Sequence, residues 1–258
     1  YGAHFGPLAH KVAQVGRRPG LWGDMFLEHP TAMRYLPKTS VLFDWQYFGG
    51  LAETAPRFVE TGFDTVGCPC VHTYNSTWCN LGQTEGNVRQ VAADAHDLGL
   101  YGFCLTTWEC GLFGAYDTLF PVIEWAGAHL GGSQDPLLDT FGESKPWASA
   151  MSPELEMFGG VFTAGRIRSS LKTRMLLMAN PFLAWVHHGP EFRGEAGQRI
   201  LAHLEQALHR ARTEGERGVT LFARAAVEWV RLADEAASAY AEGLPETAIT
   251  KLALGRQL

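Results

Sequence analysis

Three places in the chain put an indole beside a carboxylate: Trp22 with Asp24, Asp44 with Trp45, and Trp108 with Glu109. Such a pair suits one class of ligand. A pyranose presents apolar C–H faces that pack on an indole ring and hydroxyls that hydrogen-bond to Asp or Glu. The bound hydroxyls compensate a carboxylate held away from water. One Trp–acid pair is ordinary, because a core tryptophan often has an acidic neighbour. Three at equivalent points of a fold describe a binding surface, provided that the fold gathers them.

Each pair closes a short apolar run that reads as a β-strand. Gly20-Leu21-Trp22 runs into Gly23-Asp24-Met25-Phe26, and Ser40-Val41-Leu42-Phe43 ends in Asp44-Trp45-Gln46-Tyr47. Tyr101 to Leu105 leads into Thr106-Thr107-Trp108-Glu109, and a further strand from Asp64 to Cys68 precedes a polar, aromatic loop from His72 to Gln83. Helical patterns lie between them. Phe5, Leu8, Val12 and Val15 form one stripe, stopped by Gly16 to Gly20; Leu51 to Glu60 is closed by Gly62. Val88, Val91, Ala92, Ala95 and Leu98 form another, ended by Gly99, and Pro121 to Leu130 reads as a fourth helix. This alternation predicts an α/β fold with a parallel sheet covered on both faces. In such sheets ligands gather at the carboxyl ends of the strands, where the Trp–acid pairs fall.

The texture changes after residue 130. Gly131 to Pro153 is rich in Gly, Ser and Pro and reads as a long loop or lid. From Pro153 the chain reads as helical, with amphipathic stretches over Gln198 to Arg212 and Val219 to Glu242. The expected organisation is a sheet-and-helix region over 1–130, a loop with closing helices over 131–190 and a helical region over 191–258.

Composition excludes several classes. Hydrophobic residues make up 46% and charged residues 19% of the 258, which is the balance of a folded domain. Lys and Arg number 21 against 27 Asp and Glu, a net charge of −6, so a nucleic-acid partner is not expected. The most apolar stretch, Met175 to Val186, is interrupted by Asn180 and Pro181, so no membrane partner is expected. Tyr1-Gly2-Ala3-His4 opens the chain with no basic-then-apolar leader pattern and reads as a cut. Five cysteines all fall between Cys68 and Cys110, unlike a spread disulfide framework, so reduced thiols in a cytoplasmic setting are expected. Cys68-Pro69-Cys70-Val71-His72 with Cys79 imitates a soft-metal site, but it lacks a zinc-ligand spacing and reads as small buried thiols rather than a metal centre. His187-His188 reads as a helix end or loop. No Gly-rich phosphate cradle or nucleophile elbow occurs.

The segments Leu21-Trp22-Gly23-Asp24-Met25 and Leu42-Phe43-Asp44-Trp45-Gln46-Tyr47 resemble glycoside hydrolase family 20, the β-N-acetylhexosaminidases, and most closely the hexosaminidase D-like branch. Gly62-Phe63 through Cys68-Pro69, Thr107-Trp108-Glu109 and Asn180-Pro181-Phe182 fit the same order, over about residues 5 to 190. The resemblance implies the later half of a (β/α)₈ catalytic barrel, a partial TIM barrel of about four βα units followed by helices. It also implies hydrolysis of terminal N-acetylhexosamine assisted by the substrate's own acetamido oxygen, an exception to the two-carboxylate scheme. By resemblance Trp22, Trp45 and Trp108 wall the sugar pocket, and Asp24, Asp44 and Glu109 bond its hydroxyls. Tyr47 or Tyr74 reaches the acetamido carbonyl, and Trp78 lines the leaving-group side. The family's acid lies in a His-x-Gly-Gly-Asp-Glu-like run, which this sequence lacks, so the catalytic residues are expected upstream of Tyr1. The resemblance implies no cofactor. Two other readings stand beside it: a non-catalytic carbohydrate-binding or scaffold protein, and a different barrel glycosidase using Asp44 and Glu109 as acid and base. Four strands leave open edges, so a homodimer through the open sheet is a candidate assembly.

Overall fold

The computed structural model describes residues 1–73, 78–108, 116–137, 139–151 and 194–257. Tyr74, Glu109, Cys110, His187, His188, the Asn180-Pro181-Phe182 segment and most of the helical stretch expected from Pro153 lie outside the described residues. The chain divides into two compact units. The first holds Tyr1–Val71, Gln83–Thr107 and Ile123–Asp135; the second holds His72–Gly82, Trp108–Val122 and Pro136–Leu258.

The first unit is built on a four-stranded parallel sheet in the order β1-β2-β3-β4, with β1 Gly20–Trp22, β2 Val41–Trp45, β3 Asp64–Cys68 and β4 Gly102–Phe103. Helix α1 spans Gly2–Gln14. The crossovers carry α2 Asp24–Glu28 with a 3₁₀ turn Pro30–Tyr35, then α3 Pro56–Val59, then α4 Leu81–Asp97, while α5 Phe120–Leu130 follows the sheet. The registers set Trp22 opposite Phe43, Phe43 opposite Val66, and Val66 opposite Gly102.

Strand order matching chain order has a geometric consequence. Right-handed crossovers that never reverse direction lay every helix on the same side of the sheet. The packing agrees: Leu42 is fully buried with Phe26, Phe58, Met33 and Ala9 from the helix layer and with Leu36 and Phe63 from the connections back to the sheet. A fully buried side chain such as Phe26, Leu42 or Phe58 contributes about 1.5–3 kcal/mol. Gly67 lies on that side too, where a Cβ would come within 2.7 Å of Leu51 Cδ1, so a larger residue would have to displace the Leu51 side chain. Among the described residues of the first unit, the helices pack on the face that carries Leu42. The other face carries Val41, Val66 and Cys68 with Phe43 and Cys104, and Trp22 and Trp45 on it remain 42% and 37% exposed.

The helix expected over 51–60 is shorter than its pattern. Residues 51–55 form successive turns, and only Pro56–Val59 is α-helical, opening on a proline whose missing N–H costs nothing in a first turn. The segment expected as a lid over 131–153 is likewise part helix. Turns give way at Pro146 to a helical stretch at 146–151.

The described residues of the second unit are mostly helical, with α6 Gly194–Arg210, α7 Glu214–Ala241 and α8 Pro245–Gly255. Helix α7 opens on a capping box in which the Thr213 hydroxyl accepts from Glu216 N–H and the Glu216 carboxylate accepts from Thr213 N–H. The chain leaves α7 through Gly243 at φ 76°, a left-handed turn that lets α8 fold back. Ala236, Ala239 and Ala248 make the resulting contact, small enough to let two helices approach closely. Trp147 is buried from the 146–151 stretch and donates its indole N–H to Thr220 Oγ1 of α7 at 2.9 Å. No helix among the described residues is long and apolar enough to cross a membrane.

Candidate functional site

Side chains alternate across a strand, so residues two apart share a face and neighbours do not. Phe43 and Trp45 of β2 therefore stand on the face away from the helices, and Trp22 joins them through its register with Phe43. The Trp22 and Phe43 rings meet edge-on at 5.7 Å. Beyond the strand end, the Tyr47 ring lies 5.0 Å from Trp45 at a 32° tilt. The result is an aromatic row, Trp22–Phe43–Trp45–Tyr47, at the carboxyl ends of two adjacent parallel strands.

Asp44 points the other way. It is 1% exposed, on the helix side beside Gly67, and its carboxylate accepts from Thr54 Oγ1 at 2.6 Å and Gln46 Nε2 at 3.1 Å. Burial pushes its carboxyl above the usual carboxylate range, and the Thr54 and Gln46 hydrogen bonds pull back against that shift. The structure therefore separates the two members of the Asp44–Trp45 pair. Asp44 ties β2 to the turn before α3 and is not presented on the aromatic face, which removes the geometric basis for using it as acid or base there.

Asp24 is half-buried at the first position of α2, where a carboxylate complements the helix dipole. Gly23 makes the strand-to-helix turn possible: its N–H donates to Phe43 O at 2.8 Å, and a Cβ would stand 2.8 Å from Phe58 Cζ. Burial, and then the Asp24 carboxylate, raise the Tyr1 hydroxyl pKa above its usual value.

The remaining site residues belong to the second unit or lie outside the described residues. Trp108 is 51% exposed, and its carbonyl accepts from Thr73 Oγ1 at 2.7 Å. Trp78 is 2% exposed, packs edge-on against Trp147 at 4.8 Å and donates Nε1–H to Thr118 O at 3.2 Å. Its indole is a core element of that unit, and this corrects the expectation that it lines a leaving-group site. Tyr74 and Glu109 are not among the described residues.

Two residues that position the strand ends were not singled out from the sequence. Asn87 of α4, 5% exposed, donates to Gln46 O at 2.6 Å and Gly49 O at 2.9 Å and accepts from Cys70 N–H at 2.9 Å. It holds the loops after β2 and β3 together. Asp94, two turns further along α4, accepts from Leu51 N–H at 2.6 Å and Ala52 N–H at 3.2 Å. The available signal was two polar residues seven apart on the apolar stripe of one helix, where a buried polar group needs a fixed partner.

Cys68, Cys70, Cys79 and Cys104 are not disulfide-bonded, and the first three are buried. Among the described residues no group of three or more His, Cys, Asp or Glu side chains could hold a metal ion. The single Asp-Glu dipeptide of the sequence, Asp234-Glu235, sits in mid-α7, where the Glu235 carboxylate is engaged by Arg231 and by Lys251 at 2.5 Å. Comparison of the chain with protein-family models, with curated proteins and with solved structures finds no match.

Proposed function

We propose that the chain carries carbohydrate-binding strand ends of a glycoside hydrolase family 20-like barrel, and that its ligand is a terminal N-acetylhexosamine. The observation that carries this reading is the aromatic row: two tryptophans, 42% and 37% exposed, on the sheet face opposite Leu42 at the carboxyl ends of a parallel sheet. A large apolar side chain left open there costs solvation unless a ligand covers it, and a pyranose face matches the size of an indole. Strand order that follows chain order, with helices on one side, also suits consecutive units of a (β/α)₈ barrel.

The roles follow from position. Trp45 forms the floor under the sugar ring, and Trp22 with Phe43 forms its flank. Tyr47, braced against Trp45, offers a hydroxyl to the acetamido carbonyl. Asp24, at the exit of β1, accepts from a ring hydroxyl. The sequence holds no His-x-Gly-Gly-Asp-Glu-like run, and Glu235 is occupied by its cationic neighbours. On this reading the chain binds the sugar and does not cleave it.

Saturation-transfer NMR with N-acetylglucosamine tests the proposal, run beside a p-nitrophenyl N-acetylglucosaminide assay. Transfer to ring C–H protons that disappears in Trp45→Ala, with no nitrophenol released, is the expected result. Equal transfer in the variant, or sustained turnover by the chain alone, would contradict it.

A further inference from the structure

The row of residues containing Trp45 holds a feature that sugar binding does not use. Trp45 lies in register with Cys68. Carried past Val66–Gly102 and Gly67–Phe103, and met again at the Cys70–Thr106 bridge, the register sets Cys68 opposite Cys104. Cys104 N–H donates to Gly67 O at 3.0 Å, the ladder bond that this register requires. Both side chains lie on the sheet face opposite Leu42, packed in one cluster with Val41, Phe43 and Val66, where the Cys68 thiol donates to Val66 O at 3.6 Å. Neighbouring parallel strands run about 4.8 Å apart. That falls inside the roughly 4.4–6.8 Å between Cα atoms that a disulfide spans. Cys70, by contrast, faces Thr106 across the bridge, and its thiol donates to Val71 O at 3.1 Å.

We propose that Cys68 and Cys104 form an oxidisable pair that closes to a reversible disulfide within the sheet, beside Trp45. Cys68 is fully buried and Cys104 partly exposed, so a peroxide reaches Cys104 first. The Cys104 thiolate attacks one oxygen of hydrogen peroxide, the O–O bond breaks, and a sulfenic acid forms as hydroxide leaves. The Cys68 sulfur then attacks the Cys104 sulfur. The S–O bond breaks, and the departing hydroxide takes the Cys68 proton as water. In sum two thiols lose two electrons and two protons, and one peroxide becomes two waters. Burial, with Cys104 and Asp44 nearby, pushes the Cys68 thiol up, so the closing step is slow at neutral pH and quickens in alkali. Parallel neighbours point their side chains alongside each other, so closure strains the bridge and leaves it easily reduced. None of this depends on the carbohydrate reading.

The test treats the intact chain with hydrogen peroxide, blocks remaining thiols by alkylation and maps disulfide-linked peptides by fragmentation. The expected product has lost two hydrogen atoms, links Cys68 to Cys104 and is restored by dithiothreitol. Cys104→Ser should abolish it and Cys70→Ala should leave it unchanged. A bridge to another cysteine, or oxidation that stops at a sulfinic acid on Cys104 with no bridge, would overturn the proposal. The wild-type map decides this even where a variant folds poorly.

Discussion

The strand ends of the first unit and the α7–α8 pair of the second are kept in place by different means. In the first, the strand ends are held by buried polar side chains that reach across the fold: Asn87 spans 41 residues to Gln46, and Asp94 spans 43 to Leu51. In the second, Trp147 and Trp78 also reach far along the chain, to Thr220 and Thr118, but the α7–α8 pair is ordered over short spans. The Thr213 box, the Gly243 turn, the alanine contact and the ladder of Arg231, Glu235 and Lys251 all act between near neighbours in sequence. A surface that must present aromatic rings in a fixed relation needs the first kind of restraint, because a strand end has no helix of its own to lock it. A helical scaffold can rely on the second.

Mutations along this contrast should rank accordingly. Leu42→Ala removes a fully buried side chain from beneath the sheet and should destabilise the first unit by about 2–5 kcal/mol, read from denaturant midpoints. Asn87→Ala strands Gln46 O, Gly49 O and Cys70 N–H, which should cost about 1–3 kcal/mol and loosen the loop carrying Tyr47. Faster amide exchange confined to the loops after β2 and β3 is the second readout for that variant. Thr213→Ala should cost about 1 kcal/mol, the usual loss for a helix cap. Lys251→Ala should cost less than about 1 kcal/mol, because its pair with Glu235 is partly open to solvent. A Lys251 effect larger than that of Asn87 would reverse the comparison.

Acid and base should separate the units as well. Burial raises the Asp44 carboxyl in the folded state, so folding binds a proton there more tightly than the open chain does. The first unit should lose stability as pH rises from the usual carboxylate range through that raised value, and Asp44→Asn should flatten the response. Glu235 behaves in the opposite sense. The Lys251 hydrogen bond, with Arg231 nearby, lowers its carboxyl, so the α7–α8 contact is strongest above the usual range and weakens as pH falls through the lowered value. Proton-linked unfolding followed by a probe in each unit checks both signs.

The strands were legible in the sequence. Gly20–Trp22 and Asp64–Cys68 form where short apolar runs bounded by turn residues predict them. The long helices were legible for the same reason: an amphipathic period over many residues leaves little choice. Three things were not. Which sheet face the crossover helices of the first unit take depends on strand order, which is a property of tertiary pairing rather than of any segment. Asp44 and Trp45 read as one motif because they are adjacent, yet adjacency on a strand sends them to opposite faces. Trp78 read as a pocket wall because nothing local distinguishes an exposed indole from one whose N–H ends on Thr118 O.

The central claim is that Trp45 and Trp22 together seat a pyranose, and calorimetric titration of N-acetylglucosamine into the wild-type chain, Trp22→Ala and Trp45→Ala tests it most directly. The account predicts saturable binding that weakens at least tenfold, about 1.4 kcal/mol, in each variant while Trp78→Phe binds as the wild type does. Binding unaltered by loss of either exposed indole, or no binding by the wild-type chain, would contradict it.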